Sequence, residues 1–178
     1  MCFLRKYAIF LVYVDDWIII SKDSQTIENL VISLKTGVEN FLLTDKGYIK
    51  HDLGVDIRPL KGDTFELCPP YLIKKVLDLL YLPYSVKGHS RPANKKLLSW
   101  DENGPSRKHY WKSWSAVGML SYLQGLTCPD ISMAAHQCSR FSNDPRLIHE
   151  TTVQNIGKYL SENATRGILY DPDNTQGI

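Results

Sequence analysis

Two adjacent carboxylates, Asp15 and Asp16, stand between two of the most apolar runs of the chain, YAIFLVYV at residues 7–14 and WIII at 17–20. Charges of one sign held together between low-dielectric walls repel, and a divalent cation removes that repulsion. Hard oxygen ligands suit Mg²⁺, which takes one or two protein carboxylates and keeps other positions for water and substrate phosphates. Such ions serve two-metal phosphoryl transfer, in which one activates the attacking oxygen and the other steadies the leaving group. The plain alternative is a polar turn, and from the residues alone the two readings are about even. Asn-Gly or Asp-Gly would be better turn chemistry, which tilts the balance toward a metal.

The elements that must position this pair follow from the apolar patterning. Residues 7–14 read as a strand covered on both faces, Trp17 to Ile20 as a second strand, and Asp15-Asp16 as the tight turn of a hairpin. Ser24 offers an N-cap for an amphipathic helix of about four turns, with Ile27, Leu30, Val31, Leu34, Val38 and Phe41 at helical spacing. A polar loop, Thr44 to Asp52, precedes two short strands near Leu53–Arg58 and Thr64–Leu67, turned by Lys61-Gly62-Asp63. Tyr71 to Leu80 reads as a helix with Leu72, Val76 and Leu79 on one face. Residues 81–113, rich in Pro, Gly, Ser and Lys, read as a linker and the best boundary. Beyond them come three helical patterns joined by short loops, and a further strand beginning at Gly167 to Tyr170.

The net charge of +2 permits nucleic-acid binding without arguing for it. The four cysteines, Cys2, Cys68, Cys128 and Cys138, form no CxxC pair, which fits a reducing intracellular compartment. A zinc set of Cys128, His136, Cys138 and His149 matches no usual spacing, so buried thiols are the better reading. The start of the chain mimics a signal peptide, but its apolar run is short and ends in carboxylates. No stretch is long enough to span a membrane.

Tyr13-Val14-Asp15-Asp16 resembles the YxDD motif of reverse transcriptases. Leu53-Gly54-Val55-Asp56-Ile57 is similar to the LG(V/I)E(V/I) strand of copia-type elements, and Pro70-Tyr71-Leu72-Ile73 with Leu79-Leu80 to their Q-x-x-Y-(I/L)-x-x-(I/L)-L segment. Val117 to Leu123, Pro129-Asp130-Ile131, Ser139-Arg140-Phe141, Pro145 and His149 resemble the block VGxLxYL…TRPDI…SRF…P…H. Tyr159-Leu160 and Gly167-Ile168-Leu169-Tyr170 resemble its YL…GLxY ending. The ordered set covers most of the chain and resembles copia-type retrotransposon reverse transcriptases rather than retroviral ones. The pattern departs at Cys128, where the family has arginine, at Asp52, where an aromatic is usual, and at Trp17, bulkier than the usual aliphatic residue.

The resemblance implies an α+β fold: a partial polymerase palm in residues 1–68, a thumb-like helix and basic linker in 69–113, and a helical connection region in 114–178. It implies that Asp15 and Asp16 hold Mg²⁺, two ions in the intact parent. Tyr13, Val14, Leu53 and Gly54 would lie along primer and nucleotide, and Lys46 would stand where such enzymes place a pyrophosphate-protonating lysine. It implies an RNA/DNA primer–template as substrate, upstream fingers and palm and a downstream RNase H as neighbours, and a cytoplasmic virus-like particle as the parent's setting. Polymerase palms use a third, upstream carboxylate, and twelve residues precede Tyr13. The expectation is therefore that the chain alone is inactive. Asp171 and Asp173, in a turn-like DPDN stretch, read as loop residues rather than an RNase H site.

Between Lys87 and Trp114 cations alternate with aromatics. Lys95, Lys96, Arg107 and Lys108 are the expected phosphate contacts, while Trp111 and Trp114 are expected to tuck into the helical cluster. Two alternatives compete with a partial polymerase: a non-catalytic or domesticated nucleic-acid-binding protein, and a different palm enzyme such as a nucleotide cyclase. The C-terminal block speaks against the second.

Overall fold

The computed structural model describes residues 2–5, 8–37, 41–62, 64–85, 87–93, 97–108 and 111–171. Two compact units, Met1–Tyr48 and Ile49–Ile178, divide the chain. This partition differs from the polymerase-style segments 1–68, 69–113 and 114–178, because the strand of residues 55–59 packs on the helix of residues 70–79 and the strand of residues 65–68 pairs with residues 168–170. With five α-helices and two small antiparallel sheets among the described residues, the architecture is mixed α and β, as expected.

The N-terminal unit is a three-stranded antiparallel sheet, β1 (Cys2–Arg5), β2 (Ala8–Tyr13) and β3 (Asp16–Ser21), in that order, with α1 (Ser24–Thr36) packed on β3. The strand β1 carries no apolar run long enough to announce it. The N-cap of α1 is Asp23 rather than Ser24: its carboxylate accepts from the amides of Gln25 and Thr26 at 3.1 and 3.2 Å. Those two bonds hold the Asp23 carboxyl below its ordinary range. Phe41 lies past the helix end, where its ring meets Trp17 edge-on at 5.2 Å. Val38 lies outside the described residues. The expectation of a strand covered on both faces fails here, since Leu11 is 38% and Ile20 49% exposed, and no residue of α1 is buried.

The C-terminal unit holds the core. Its sheet runs β4 (His51–Asp52), β5 (Val55–Pro59), β6 (Phe65–Cys68) and β7 (Ile168–Tyr170). The helices are α2 (Pro70–Leu79), α3 (Ser113–Leu126), α4 (Ser132–Ser139) and α5 (Leu147–Glu162), with a 3₁₀ turn at Pro129–Ile131. Pro70 starts α2, where its missing N–H is no loss. The buried face of α2 is Ile73, Val76 and Leu77, rotated from the expected Leu72, Val76 and Leu79. In the same cluster lie Leu120 and Leu123 of α3, Ile131, and Ile156 and Leu160 of α5, all at most 2% exposed. Burying each such side chain stabilises by about 1.5–3 kcal/mol.

The described residues of 81–113, a segment expected as a linker, form a strap fastened to α5. Leu98 is buried, Arg107 N–H donates to the Pro145 carbonyl at 2.8 Å, and the Leu147 N–H donates to the Pro105 carbonyl at 3.2 Å. Ser161 Oγ donates to the Tyr84 carbonyl at 2.7 Å. These bonds satisfy backbone that a solvated linker would leave to water.

The thiols of Cys68, Cys128 and Cys138 are buried and free. Burial pushes Cys68 up to about 11 and Cys138 up to about 12. His149 uses both ring nitrogens: Nδ1 accepts from the Arg146 N–H at 2.9 Å, and Nε2 lies 3.1 Å from the Ser99 carbonyl. That pattern requires the tautomer with its proton on Nε2.

Asp130 ties the 3₁₀ turn to α5, accepting from the Tyr159 hydroxyl at 2.5 Å. This bond, then burial, pushes the phenol from 10.0 up to about 12. A raised pKa favours the protonated phenol in the folded state, so its stabilisation is complete below pH 10.0 and is lost as pH rises through about 12. Urea denaturation at pH 9 to 12 should show a fall in stability that the Tyr159→Phe variant lacks. Parallel curves for the two proteins would refute the linkage.

Candidate metal turn and nucleic-acid face

In the β2–β3 hairpin Tyr13 pairs with Asp16, so the loop is Val14-Asp15 and not Asp15-Asp16. A two-residue loop closes a twisted hairpin best when its first position has positive φ, which normally calls for glycine. Here that position is Val14, with φ +51°. A β-branched residue there is strained, by roughly 1–3 kcal/mol, and strain of this kind concentrates at functional sites. The turn projects: Tyr13 is 75% and Val14 76% exposed, and both carboxylates reach solvent.

The structure brings Lys46 to this turn. Its Nζ donates to Asp16 Oδ1 at 2.8 Å, across 30 residues of sequence. The hydrogen bond, and then the charge of Asp16, raise the lysine pKa. Both side chains are about three-quarters exposed, at 78% and 74%. An ion pair so exposed contributes little to stability.

The donor set fits a divalent cation. Two hard carboxylates stand at an exposed tip, and an ammonium already rests on one of them as a stand-in cation. No group of three or more His, Cys, Asp or Glu side chains able to hold a metal occurs among the described residues.

The second candidate site belongs to the C-terminal unit. Leu53 and Gly54 form the β4–β5 loop with φ +49° and +84°, the signature of a type I′ hairpin. Gly54 has a structural reason to be glycine: a Cβ would stand 2.9 Å from Leu72 Cδ2. Leu53 is 65% exposed, and its carbonyl accepts from the Tyr122 hydroxyl at 3.0 Å. On α3, Trp114, Gly118, Tyr122 and Gly125 recur every third or fourth residue and share one exposed face. Trp114 is 68% exposed, so the expectation that it tucks into the cluster is wrong; Trp111 does pack on the core. Glycine inside a helix costs about 1 kcal/mol relative to alanine. Yet a Cβ at Gly118 or Gly125 would meet nothing within 4 Å. Nothing inside the molecule requires these glycines, which share the exposed face with Trp114 and Tyr122. The sequence reading missed this face; two glycines seven residues apart in a helical pattern are the signal that could have found it.

Of the expected phosphate contacts, Lys95 and Lys96 lie outside the described residues, as do Tyr110 and Asp173. Lys108 is exposed in a turn. Arg107 pairs through Nε with Glu150 of α5, whose side chain is only 12% exposed. Arg107 thus has a structural role that charge spacing alone could not show. Among the described residues no helix is long and apolar enough to cross a membrane.

No protein-family profile matches the chain, and no solved structure matches it. It is 32% identical over 164 residues to the retrovirus-related Pol polyprotein from transposon TNT 1-94 of Nicotiana tabacum. The alignment takes in 88% of this chain and 12% of that polyprotein. On identity across nearly nine-tenths of its length, the chain belongs to the Pol polyproteins of copia-type retrotransposons, of which it spans one part.

Proposed function

We propose that the chain supplies the YxDD turn and a primer–template-binding face of an RNA-directed DNA polymerase. The observation that carries this reading is the Val14-Asp15 turn: a strained, exposed loop carrying Asp15, with Asp16 as the first strand residue beside it, in a chain similar to a Pol polyprotein. Asp15, at the tip, is the principal Mg²⁺ ligand, and Asp16, already bonded to a cation, is the second. When bound, Mg²⁺ neutralises charge on substrate phosphates. Tyr13 and Val14 offer exposed surface beside it to the primer end. Residues 1–48 are then palm, and the hairpin of Leu53-Gly54 with α3 belongs to the surface that grips the duplex.

The test is a Mn²⁺ titration of the whole chain, followed by loss of the free-ion EPR signal. The chain should bind weakly and saturably, and Asp15→Asn should weaken binding at least tenfold. Equal binding by both proteins would remove the metal site from the proposal.

A second reading, a non-catalytic nucleic-acid-binding protein, draws on the α3 face, which uses no carboxylate. Exposed aromatics can stack on bases or pack on sugars, and the open glycines admit a backbone closely. Duplex affinity that survives Asp15→Asn but falls in Tyr122→Ala and Trp114→Ala, without any metal binding, would favour it.

A further inference from the structure

We propose that Lys46 is the resident counter-cation of the metal turn: its ammonium holds Asp16 until a divalent ion arrives, so that ion entry and Lys46 departure are one exchange. This rests on the metal reading of Asp15 and Asp16. The contact is tertiary, since 30 residues separate its partners. Its backbone is also held on both sides. Upstream, the Phe41 N–H donates to the Leu34 carbonyl at 3.1 Å and the Phe41 ring packs on Trp17, the residue after Asp16. Downstream, the Gly47 N–H donates to Asp45 Oδ1 at 2.7 Å, and Gly47 takes φ +73°, which fixes a local turn. The segment therefore delivers the lysine to the carboxylate.

The energetics suit exchange. An ammonium 2.8 Å from a carboxylate oxygen occupies a position that a metal ligand must give up. The exposed pair is worth little, so a divalent ion with two charges and phosphate co-ligands can displace it. While Lys46 stays, the turn presents one net negative charge instead of two, which lowers affinity for ions not accompanied by substrate. The displaced ammonium is then free to meet an anion at the same tip.

The experiment uses the whole chain and Mn²⁺ as the probe. Wild type, Lys46→Met, Asp16→Asn and the double variant are titrated at low ionic strength, with far-UV circular dichroism confirming that each folds. In parallel, wild-type Lys46 acetylation by an amine-reactive ester is followed by mass spectrometry, with exposed Lys35 as the internal control. Lys46→Met should bind Mn²⁺ about three- to tenfold more tightly, an advantage that shrinks as salt screens the charge. The advantage should vanish in the Asp16→Asn background, and Mn²⁺ should quicken acetylation of Lys46 but not of Lys35. If wild type binds Mn²⁺ and Asp15→Asn does not, yet Lys46→Met matches wild type and acetylation is unchanged, the exchange is wrong and the metal site stands. If neither wild type nor Lys46→Met binds Mn²⁺, both fall.

Discussion

Replacing Ile156 with alanine is expected to remove about 2–5 kcal/mol from the stability of the C-terminal unit. Ile156 is fully buried on α5 and belongs to the cluster formed with α2, α3 and α4. Removing its side-chain carbons loses their transfer free energy and leaves a cavity that four packed helices cannot all move to fill. Domains of this size are stable by roughly 5–15 kcal/mol, so the variant should melt far earlier in urea. The contrast is Ile32→Ala on α1, a residue 57% exposed, which should change stability by no more than about 0.5 kcal/mol. Similar losses at the two positions would mean that the core of the molecule is not where the burial places it.

The second large effect is expected at Arg107. Arg107→Ala leaves Glu150, with a side chain 12% exposed, without the guanidinium that compensates its charge. Breaking a fully buried pair costs about 3–5 kcal/mol. Arg107 itself is 30% exposed, and solvent reduces the penalty to about 1–3 kcal/mol. Changing both partners, in Arg107→Met with Glu150→Leu, should restore most of the loss. Lys108→Ala, next door but exposed, should leave the melting curve where it is. Urea denaturation of the four proteins decides this. Should Arg107→Ala be neutral for stability yet weaken primer–template binding, Arg107 would be a phosphate contact instead of a strut.

This contrast shows where reading charges along the chain stops. Arg107 and Lys108 are equivalent as members of a basic stretch. They differ because the carbonyl of Pro145 and the carboxylate of Glu150, some forty residues on, meet only the first. The same holds for the aromatics. Trp111 lies before the first residue of α3 and packs on the core, whereas Trp114 stands in the first turn of the helix on its exposed face.

The pieces whose causes are local were legible in the pattern of residues. The β2–β3 hairpin, α1, the β5–β6 hairpin, α2 and the three C-terminal helices follow from apolar periodicity, Pro70 at a helix start and glycine at turns. The kinship with copia-type Pol polyproteins was readable from ordered motifs because these combine turn, helix and carboxylate positions that chance rarely assembles. Whatever depends on partners far away in the chain emerged only on folding. Strand register moved Asp16 out of the turn and put Val14 into it. Pairing across a hundred residues made Ile168–Tyr170 the fourth strand of the sheet begun at His51, where Gly167 alone allows the approach to Leu67 and Cys68. Packing made a strap of the described residues of 81–113, expected as a linker, and long-range approach set Lys46 on Asp16. Local propensity is a sum over neighbours in sequence, whereas register, strap and ion pair are set by neighbours in space, which no periodicity encodes.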